Sequence, residues 1–166
     1  MGHMVEQVLA KKGIECALCS EDITAVDPAL ARECECGTTM IYASNFSIGV
    51  NLLFKAADYL ARLSAKAGGY TTSIEEIHHI HKLDAPSGTA ITLGKIVDAA
   101  GDYNPPISSQ RIGEVPGIHT LSFSSDCDKI TLTHEAFSRE GLAQGAVEAA
   151  LMCESISGVH EFKDLI

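Results

Sequence analysis

The sequence predicts an α+β fold in which helices cover a mixed or mostly antiparallel sheet, preceded by the remnant of an α/β unit. Strand-like and helical patterns alternate from residue 40 onward. The stretch "GIHTLSFSSDCDKITLTHEA" reads as two strands joined by a polar turn, which is typical of an antiparallel hairpin. The first 39 residues read instead as a helix followed by a strand. We therefore expect two domains, comprising residues 1–39 and residues 40–166.

Composition and charge are those of an ordinary globular protein. Of the 166 residues, 46% are apolar and 20% are charged, and a chain of this length buries roughly 70% of its surface on folding. The net charge of −10 argues against a nucleic-acid-binding protein, because such proteins carry a basic face. There is no run of 18 apolar residues and no secretory signal pattern, so we expect no membrane partner and a cytoplasmic setting.

The N-terminal segment has the order of a dinucleotide-binding Rossmann unit that lacks its first strand. Residues 4–12 carry apolar side chains at helical spacing, and the strand-like "IECALC" is followed by Glu21 and Asp22. In Rossmann units an acid about 20 residues past the glycine-rich loop holds the ribose hydroxyls, and Gly2 lies 19 residues before Glu21. No G-x-G-x-x-G motif occurs, and "GHM" is equally typical of a cloning remnant. Residues 1–39 are therefore predicted to be a remnant of such a domain.

Four cysteines of this segment have a spacing that zinc sites also use. Cys16 and Cys19 form a C-x-x-C pair, and Cys34 and Cys36 form a C-x-C pair, so four thiolates could bind zinc tetrahedrally. The alternative is that "IECALC" is a buried strand, in which a free cysteine behaves as a small apolar residue. We expect the buried strand, and zinc stays the minority interpretation.

The elements from residue 40 to residue 69 are a strand and a long helix. "TMIYAS" is strand-like, and Asn45 or Ser47 can cap the helix that follows. Gly68 and Gly69 provide its end. The apolar stripe of this helix is expected to comprise Ile48, Leu52, Leu53, Ala56, Leu60 and Leu63.

The remaining elements continue the alternation. "YTTSIEEIHHIH" is rich in Thr, Ile and Tyr and reads as a strand. "SGTAITLGKIVDAAG" reads as a helix that ends at Gly101, and residues 102–106 form a linker. The hairpin follows, and "GLAQGAVEAALMCESISG" reads as a helix of small residues that can pack closely.

The stretch "EEIHHIHKLDAPSGTA", residues 75–90, concentrates protonatable nitrogen in an acidic chain. His78, His79, His81 and Lys82 lie within five positions. A single histidine on a strand is usually a hydrogen-bonded structural residue, but histidine also exchanges a proton near neutral pH, and lysine can hold an anion. Adjacent strand residues face opposite sides, so His78 and His79 can share a cleft only if the chain turns after the strand.

The residues that follow are typical of the start of an anion-binding helix. Pro86 restricts the residue before it to extended conformations, and Ser87 or Thr89 can cap the next helix. Gly88 allows a ligand to approach the backbone closely. The N–H groups and the positive dipole end of that helix favour an anion. We therefore predict a small, strongly anionic ligand at this place, with histidine providing proton chemistry.

A metal site is the competing interpretation of this cluster. Imidazole is a common zinc ligand, and His78, His79 and His81 lie close together in the sequence. The adjacent Lys82 would repel a cation. We therefore expect no metal.

Residues 75–90 resemble the signature of the dihydrodipicolinate reductase (4-hydroxy-tetrahydrodipicolinate reductase) family. Members of this family are NAD(P)H enzymes of diaminopimelate and lysine biosynthesis. Three further stretches are similar to the family: "YASNFSIGVN", "RIGEVPGIHTLSF" and "HEAFSREGLAQGAVEAA". The resemblance covers residues 37–166 fairly continuously and residues 1–22 more weakly.

The resemblance implies a role for each residue of the signature. It implies that His78 is the general acid or base and that Lys82 is the proton donor. It also implies that His79 helps to bind the substrate, a cyclic dicarboxylate, and that Gly88 and Thr89 meet one carboxylate.

The resemblance likewise implies a cofactor, NADH or NADPH, and an oligomer. Gly37, Thr38 and Thr39 match the family's Gly-Thr-Thr turn at the nicotinamide, and Ala43 and Phe46 match a second nicotinamide contact. The family forms tetramers through the sheet of its second domain. It also carries a complete Rossmann domain, whereas only 36 residues precede Gly37 here. The alternative is therefore a truncated dicarboxylate-binding or assembly module that does not turn over.

Overall fold

The structure is a computed structural model that describes Lys11 and residues 39–153 and 155–166. It divides into two compact units, one formed by residues 49–138 and one formed by residues 1–48 with 139–166. The expected boundary at residue 39 and the N-terminal remnant stay predictions. Several predicted site residues lie outside the described part: Cys16, Cys19, Glu21, Asp22, Cys34, Cys36, Gly37 and Thr38.

The described elements, in chain order, are β1 (Thr39–Tyr42), α1 (Ile48–Ala67), β2 (Thr71–His78), α2 (Gly88–Gly101), β3 (Ile107–Arg111), β4 (Gly117–Ser124), β5 (Lys129–Ala136), α3 (Glu140–Met152), β6 (Gly158–Glu161) and α4 (Phe162–Leu165). None of these helices has the length and hydropathy needed to cross a bilayer.

The larger unit contains a four-stranded mixed sheet with the order β3-β2-β4-β5. β2 pairs antiparallel with β4 and parallel with β3, and β4 and β5 form the predicted hairpin. The α+β class with a mixed sheet is therefore confirmed. The sequence did not predict β3, because its five residues "ISSQR" lie at the sheet edge and are mostly exposed, so they show no apolar alternation.

Both α1 and α2 cover one face of this sheet. Their apolar side chains pack on Ile74 of β2 and on Leu121 and Phe123 of β4 in a single core cluster. The buried face of α1 differs from the predicted stripe, because Leu52 and Leu63 are about half exposed. The helix is apolar around much of its circumference, so periodicity alone did not select its face. The face that does pack on the core is Val50, Leu53, Phe54, Ala57 and Ala61, in which the two alanines allow close approach to the sheet.

β2 places two ionisable side chains on the helix-covered face. Its residues alternate between exposed and buried positions, as a half-buried strand requires. Ile74 is therefore followed on the same face by Glu76 and His78, both of which are buried. The last strand position thus carries an imidazole, and the chain turns immediately after it.

The smaller unit contains a two-stranded parallel sheet and α3. β1 pairs with β6, so that Thr39 lies opposite Gly158 and Tyr42 lies opposite Glu161. The buried positions of α3 are all small or β-branched: Ala143, Gly145, Val147 and Ala149. Phe162 is fully buried, and its ring lies 5.3 Å from that of Phe46. The helix of small residues that the sequence predicted is confirmed, but it ends at Met152 and does not extend to Gly158.

Substitution of Gly145 should test the close packing in the smaller unit. A Cβ atom at this position would lie 1.7 Å from the carbonyl oxygen of Phe46. Backbone cannot yield as a flexible side chain does, so we expect Gly145→Ala to lower the free energy of unfolding by about 1–3 kcal/mol. The control is Gly141→Ala in the same helix, where the nearest atom would be Ser47 Oγ at 3.9 Å. Urea denaturation should show no loss for Gly141→Ala, and equal losses in both variants would contradict the packing.

Candidate functional site

A fully buried carboxylate, that of Glu76, connects β2 to the start of α2. Its two oxygens accept hydrogen bonds from the backbone N–H of Ser87 at 3.0 and 3.1 Å. Burial raises the pKa of Glu76, but hydrogen bonds from Ser87 and Ser109 and the nearby His78 outweigh it, so the pKa lies below its usual value. Glu76 is therefore ionised at neutral pH, and the strand and the helix terminus are held together by a charge-assisted hydrogen bond.

The imidazole of His78 lies beside this carboxylate. Its Nδ1 is 3.6 Å from Glu76 Oε2, and its ring meets that of His119 edge-on with centroids 5.0 Å apart. Burial lowers the pKa of His78, and Lys82 and Arg111 lower it further, whereas Glu76 raises it. The pKa of His78 therefore lies below its usual value, because burial and the two cations outweigh the carboxylates.

His119 of β4 completes the buried cluster. Its Nε2 lies 3.2 Å from the hydroxyl of Ser87 and 3.8 Å from Glu76 Oε2. Burial, reinforced by His78, lowers the pKa of His119 to about 4. His119 is therefore neutral under physiological conditions and acts as a hydrogen-bonding partner of Ser87 rather than as a cation.

Arg111, at the end of β3, fixes the loop that follows β2. Its guanidinium donates to the backbone carbonyls of Lys82 and Asp84 and lies 3.4 Å from Glu76 Oε1. The sequence left open whether Arg111 contacts substrate, cofactor or neighbouring acids. In the structure it contacts Glu76 and two loop carbonyls, so its charge offsets a buried anion and its geometry holds the loop.

The ammonium of Lys82 lies in this loop next to Asp84. The distance from Lys82 Nζ to Asp84 Oδ1 is 2.8 Å, and the lysine side chain is 23% exposed. The hydrogen bond from Lys82 lowers the pKa of Asp84. The Asp84 side chain is 57% exposed, and ion pairs with a partner at the surface hold little energy.

The first turn of α2 provides the helix terminus that the sequence predicted. Ser87 is the N-cap, and its hydroxyl accepts a hydrogen bond from the N–H of Ala90 at 3.2 Å. Thr89 is therefore inside the helix, where its side chain is buried. Gly88 is exposed, and a Cβ there would meet no atom within 4 Å, so space for a ligand lies directly against the backbone.

Two of the predicted site residues of the larger unit, His78 and Gly88, lie next to Glu76 or to the residue that donates to it. His78 lies beside its carboxylate, Gly88 follows the residue that donates to it, and the charge of Lys82 acts on His78. His79 follows the last residue of β2 and is half-buried, with its ring 6.1 Å from that of His81. The roles assigned to these residues stay predictions.

The predicted nicotinamide contacts fall in the smaller unit. Thr39 begins β1, Ala43 follows its end, and Phe46 packs on Phe162. Three of the five predicted residues are therefore described, and they do not by themselves form a complete dinucleotide site.

The three histidines considered as a metal site do not converge. His78 faces Glu76 and His119, whereas His81 is exposed and lies 3.2 Å from Glu114. A different set has the spacing of metal ligands, since donor atoms of Glu76, His78 and His119 lie within 4.8 Å of one another. However, the Glu76 oxygens already accept N–H groups and lie beside the Arg111 guanidinium. This environment favours proton chemistry over a cation.

Sequence reasoning did not single out two residues of the cluster, Glu76 and His119, and it left the contacts of Arg111 open. The signal for Glu76 and His119 was the period of their strands. Glu76 lies on the same core-facing side of β2 as Ile74, and His119 lies on the same core-facing side of β4 as Leu121. Acids are almost never fully buried unless they are paired, so a core-facing acid next to a histidine is a signal that the sequence carried. The contacts of Arg111 could not be predicted in this way because β3 was not predicted.

Comparison with known proteins is consistent with this geometry. The family model described as "Dihydrodipicolinate reductase, C-terminus" matches residues 49–166. The chain belongs to the dihydrodipicolinate reductase family. It is 43% identical over 141 residues to the 4-hydroxy-tetrahydrodipicolinate reductase of Christiangramia forsetii, an alignment that covers 78% of this chain and 59% of that protein. It is also 35% identical over 149 residues to the 4-hydroxy-tetrahydrodipicolinate reductase of Neisseria meningitidis serogroup B. That alignment covers 78% of this chain and 55% of that protein.

A solved structure of the dihydrodipicolinate reductase family shares the fold. The dipicolinate-bound dihydrodipicolinate reductase from Paenisporosarcina sp. TG-14 superposes with a TM-score of 0.69 at 22% identity, over 84% of this chain and 58% of that one. This chain spans less than two thirds of the length of each of these relatives.

The low pKa of His119 should make stability fall in acid. Its pKa is about 4 in the folded chain against 6.5 in the unfolded chain, so the unfolded chain binds the proton more tightly. The free energy of unfolding should therefore be unaffected by this group above pH 6.5 and should fall by about 3 kcal/mol as the pH drops to 4. Chemical denaturation between pH 4 and 7 measures this slope.

The slope of the free energy of unfolding against pH, between pH 4 and pH 7, should be smaller in His119→Gln than in the wild type. The control is His81→Gln, which removes an exposed imidazole outside the buried cluster and should leave the slope near that of the wild type. A wild-type slope in His119→Gln would mean that His119 is not held neutral by burial.

Proposed function

We propose that this chain carries the dicarboxylate-binding and proton-donating part of an NAD(P)H-dependent 4-hydroxy-tetrahydrodipicolinate reductase. The reaction is the reduction of 4-hydroxy-tetrahydrodipicolinate to tetrahydrodipicolinate in lysine and diaminopimelate biosynthesis. The observation that carries the proposal is that Glu76 joins the start of α2 to the strand that bears His78. Membership of the family supports it. The cytoplasmic setting stays a prediction.

The substrate class follows from the charges around the start of α2. The Lys82 ammonium and the positive end of α2 attract carboxylates. Gly88 leaves room for a carboxylate against the backbone, and the buried Thr89 follows it. In the proposal one carboxylate lies at Gly88 and Thr89, and His79 and Lys82 bind the rest of the dianion. A chain with a net charge of −10 would otherwise repel such a ligand.

The proton comes from the residues at the end of β2. In this proposal Lys82 donates a proton to the reduced substrate and His78 acts as the general acid or base. His78 is held against Glu76, and Lys82 exchanges Asp84 for the substrate. A positioned acid of this kind contributes roughly 10²–10⁴-fold to a rate.

Bound NADH or NADPH would supply the hydride. Gly37, Thr38, Thr39, Ala43 and Phe46 are the proposed contacts at the nicotinamide, by resemblance to the family. The described residues alone do not complete a dinucleotide site, so the proposal is confined to what the chain does to the substrate and to protons.

The second candidate is a dicarboxylate-binding or assembly module that does not turn over. It is favoured by the lack of a G-x-G-x-x-G motif anywhere in the sequence. The two candidates differ in cofactor binding. A change in nicotinamide fluorescence on adding the chain supports the reductase, and no change at millimolar cofactor supports the module.

We also propose that copies of the chain associate into a tetramer through the open face of the larger sheet. That face carries small polar side chains around a shallow depression of about 380 Å³, including Ser73, Ser108, Thr120, Ser122 and Thr131. Light scattering should give a mass near four chains for the wild type and a lower mass for Thr131→Arg. Ala99→Arg adds the same charge on the exposed side of α2 and should leave the mass unchanged. A monomeric wild type would contradict the proposal.

The binding site can be tested with pyridine-2,6-dicarboxylate. Calorimetry should detect binding to the wild type, and His79→Ala and Lys82→Ala should each weaken it by roughly 10- to 100-fold, since each removes a hydrogen bond to a charged group. Lys95→Ala is the matched control, because Lys95 is an exposed lysine of α2. Pyridine-2-carboxylate should bind more weakly than the dianion. No binding by the wild type, or an equal loss in Lys95→Ala, would contradict the site.

A further inference from the structure

We propose that Glu76 is a positioning residue that holds the His78 imidazole in one orientation and stabilises its protonated form. This inference rests on the proposed function, in which His78 exchanges a proton with the substrate. It adds a role for a side chain that is fully buried and that cannot itself reach a ligand.

Glu76 is held rigidly and remains charged. The N–H of Ser87 bonds to both carboxylate oxygens, and the Arg111 guanidinium lies 3.4 Å from one of them. An isolated carboxylate at a fully buried position would be very costly, so these donors are what allow it to stay ionised. A fixed, charged carboxylate acts on its neighbours without reorganising.

The orientation of His78 follows from what surrounds its ring. Nδ1 is buried without a hydrogen-bond partner among the described residues, and Glu76 Oε2 lies 3.6 Å from it, beyond hydrogen-bond distance. A Cβ at Gly117 would lie 3.2 Å from Nε2, so a larger residue there would crowd that atom. The ring of His119 meets that of His78 edge-on, with centroids 5.0 Å apart. Glu76 thus acts on the Nδ1 side of the ring through its charge, and the proposal assigns proton exchange to Nε2.

The charge of Glu76 opposes the other influences on His78. Burial, Lys82 of the loop and Arg111 of β3 all disfavour the imidazolium, whereas Glu76 and, more weakly, Asp84 of the loop favour it. The neighbouring His119 of β4 is neutral at pH 7 and adds no charge there. Removing the charge of Glu76 would leave the influence of Lys82 and Arg111 on His78 offset, among the described residues, by the weaker influence of Asp84.

The decisive experiment is an NMR titration of His78 without ligand. Glu76→Gln keeps the size and one oxygen acceptor but removes the charge, so the titration midpoint of His78 should fall below that of the wild type. Glu75→Gln is the matched control, because Glu75 is the adjacent acid on the opposite, exposed face of β2, and the midpoint should not move. An unchanged or raised midpoint in Glu76→Gln would overturn the proposal.

Two further measurements keep the test valid if Glu76→Gln does not fold. Glu76→Asp retains the charge but withdraws it from the ring, so its His78 midpoint should fall below that of the wild type, and an unchanged midpoint would contradict the proposal. In the wild type, the ¹³C resonance of the Glu76 carboxyl should be that of an ionised group across the whole His78 titration. A Glu76 carboxyl that is protonated at neutral pH would overturn the proposal without any variant.

The proposed function and this inference can fail separately. If the wild type does not bind pyridine-2,6-dicarboxylate, the proposed function fails, while the ligand-free titration still reports on Glu76. If the ligand binds, its affinity should depend on pH, and the midpoint of that dependence should move to lower pH in Glu76→Gln but not in Glu75→Gln. A loss of affinity that is equal at every pH would indicate a merely structural role for Glu76.

Discussion

The hydrogen bond from the backbone N–H of Ser87 to the Glu76 carboxylate is the constraint on which the site depends. It joins the strand that carries His78 to the first turn of α2. Because the bond uses a backbone donor and a fully buried acceptor, its geometry is fixed by the packing of the sheet on the helix. The orientation of the site is therefore a property of the fold.

The charge distribution turns an acidic chain into a place where an anion can bind. Glu76 is negative and close to the proposed ligand, but Ser87 and Arg111 occupy its oxygens, and these donors reduce its repulsion of a second anion. Lys82 pairs with Asp84, whose side chain is 57% exposed. In the proposed function, the buried negative charge acts on His78, and the charge of Lys82 acts on the ligand.

The sequence predicted the hairpin, the helix Gly88–Gly101 and the concentration of His78 and Lys82 before it, because each of these has a local signal. It did not predict the cluster around Glu76, which depends on register: Glu76 lies opposite His119 on β4 and opposite Ser109 on β3. Pairing between distant strands has no local signature. Strand β3 was missed because its mostly exposed residues show no apolar alternation, and without β3 the contacts of Arg111 with the loop could not be predicted.

The measurement that tests the account most directly is a ¹H–¹⁵N NMR titration of the chain with pyridine-2,6-dicarboxylate. The account predicts that the largest shifts occur at the backbone amides of Gly88 and Thr89 and at the side chain of His78. Shifts confined to the open face of the sheet, at Ser108 and Thr131, with Gly88 and His78 unchanged, would contradict it. Such a result would mean that no anion binds between the end of β2 and the first turn of α2.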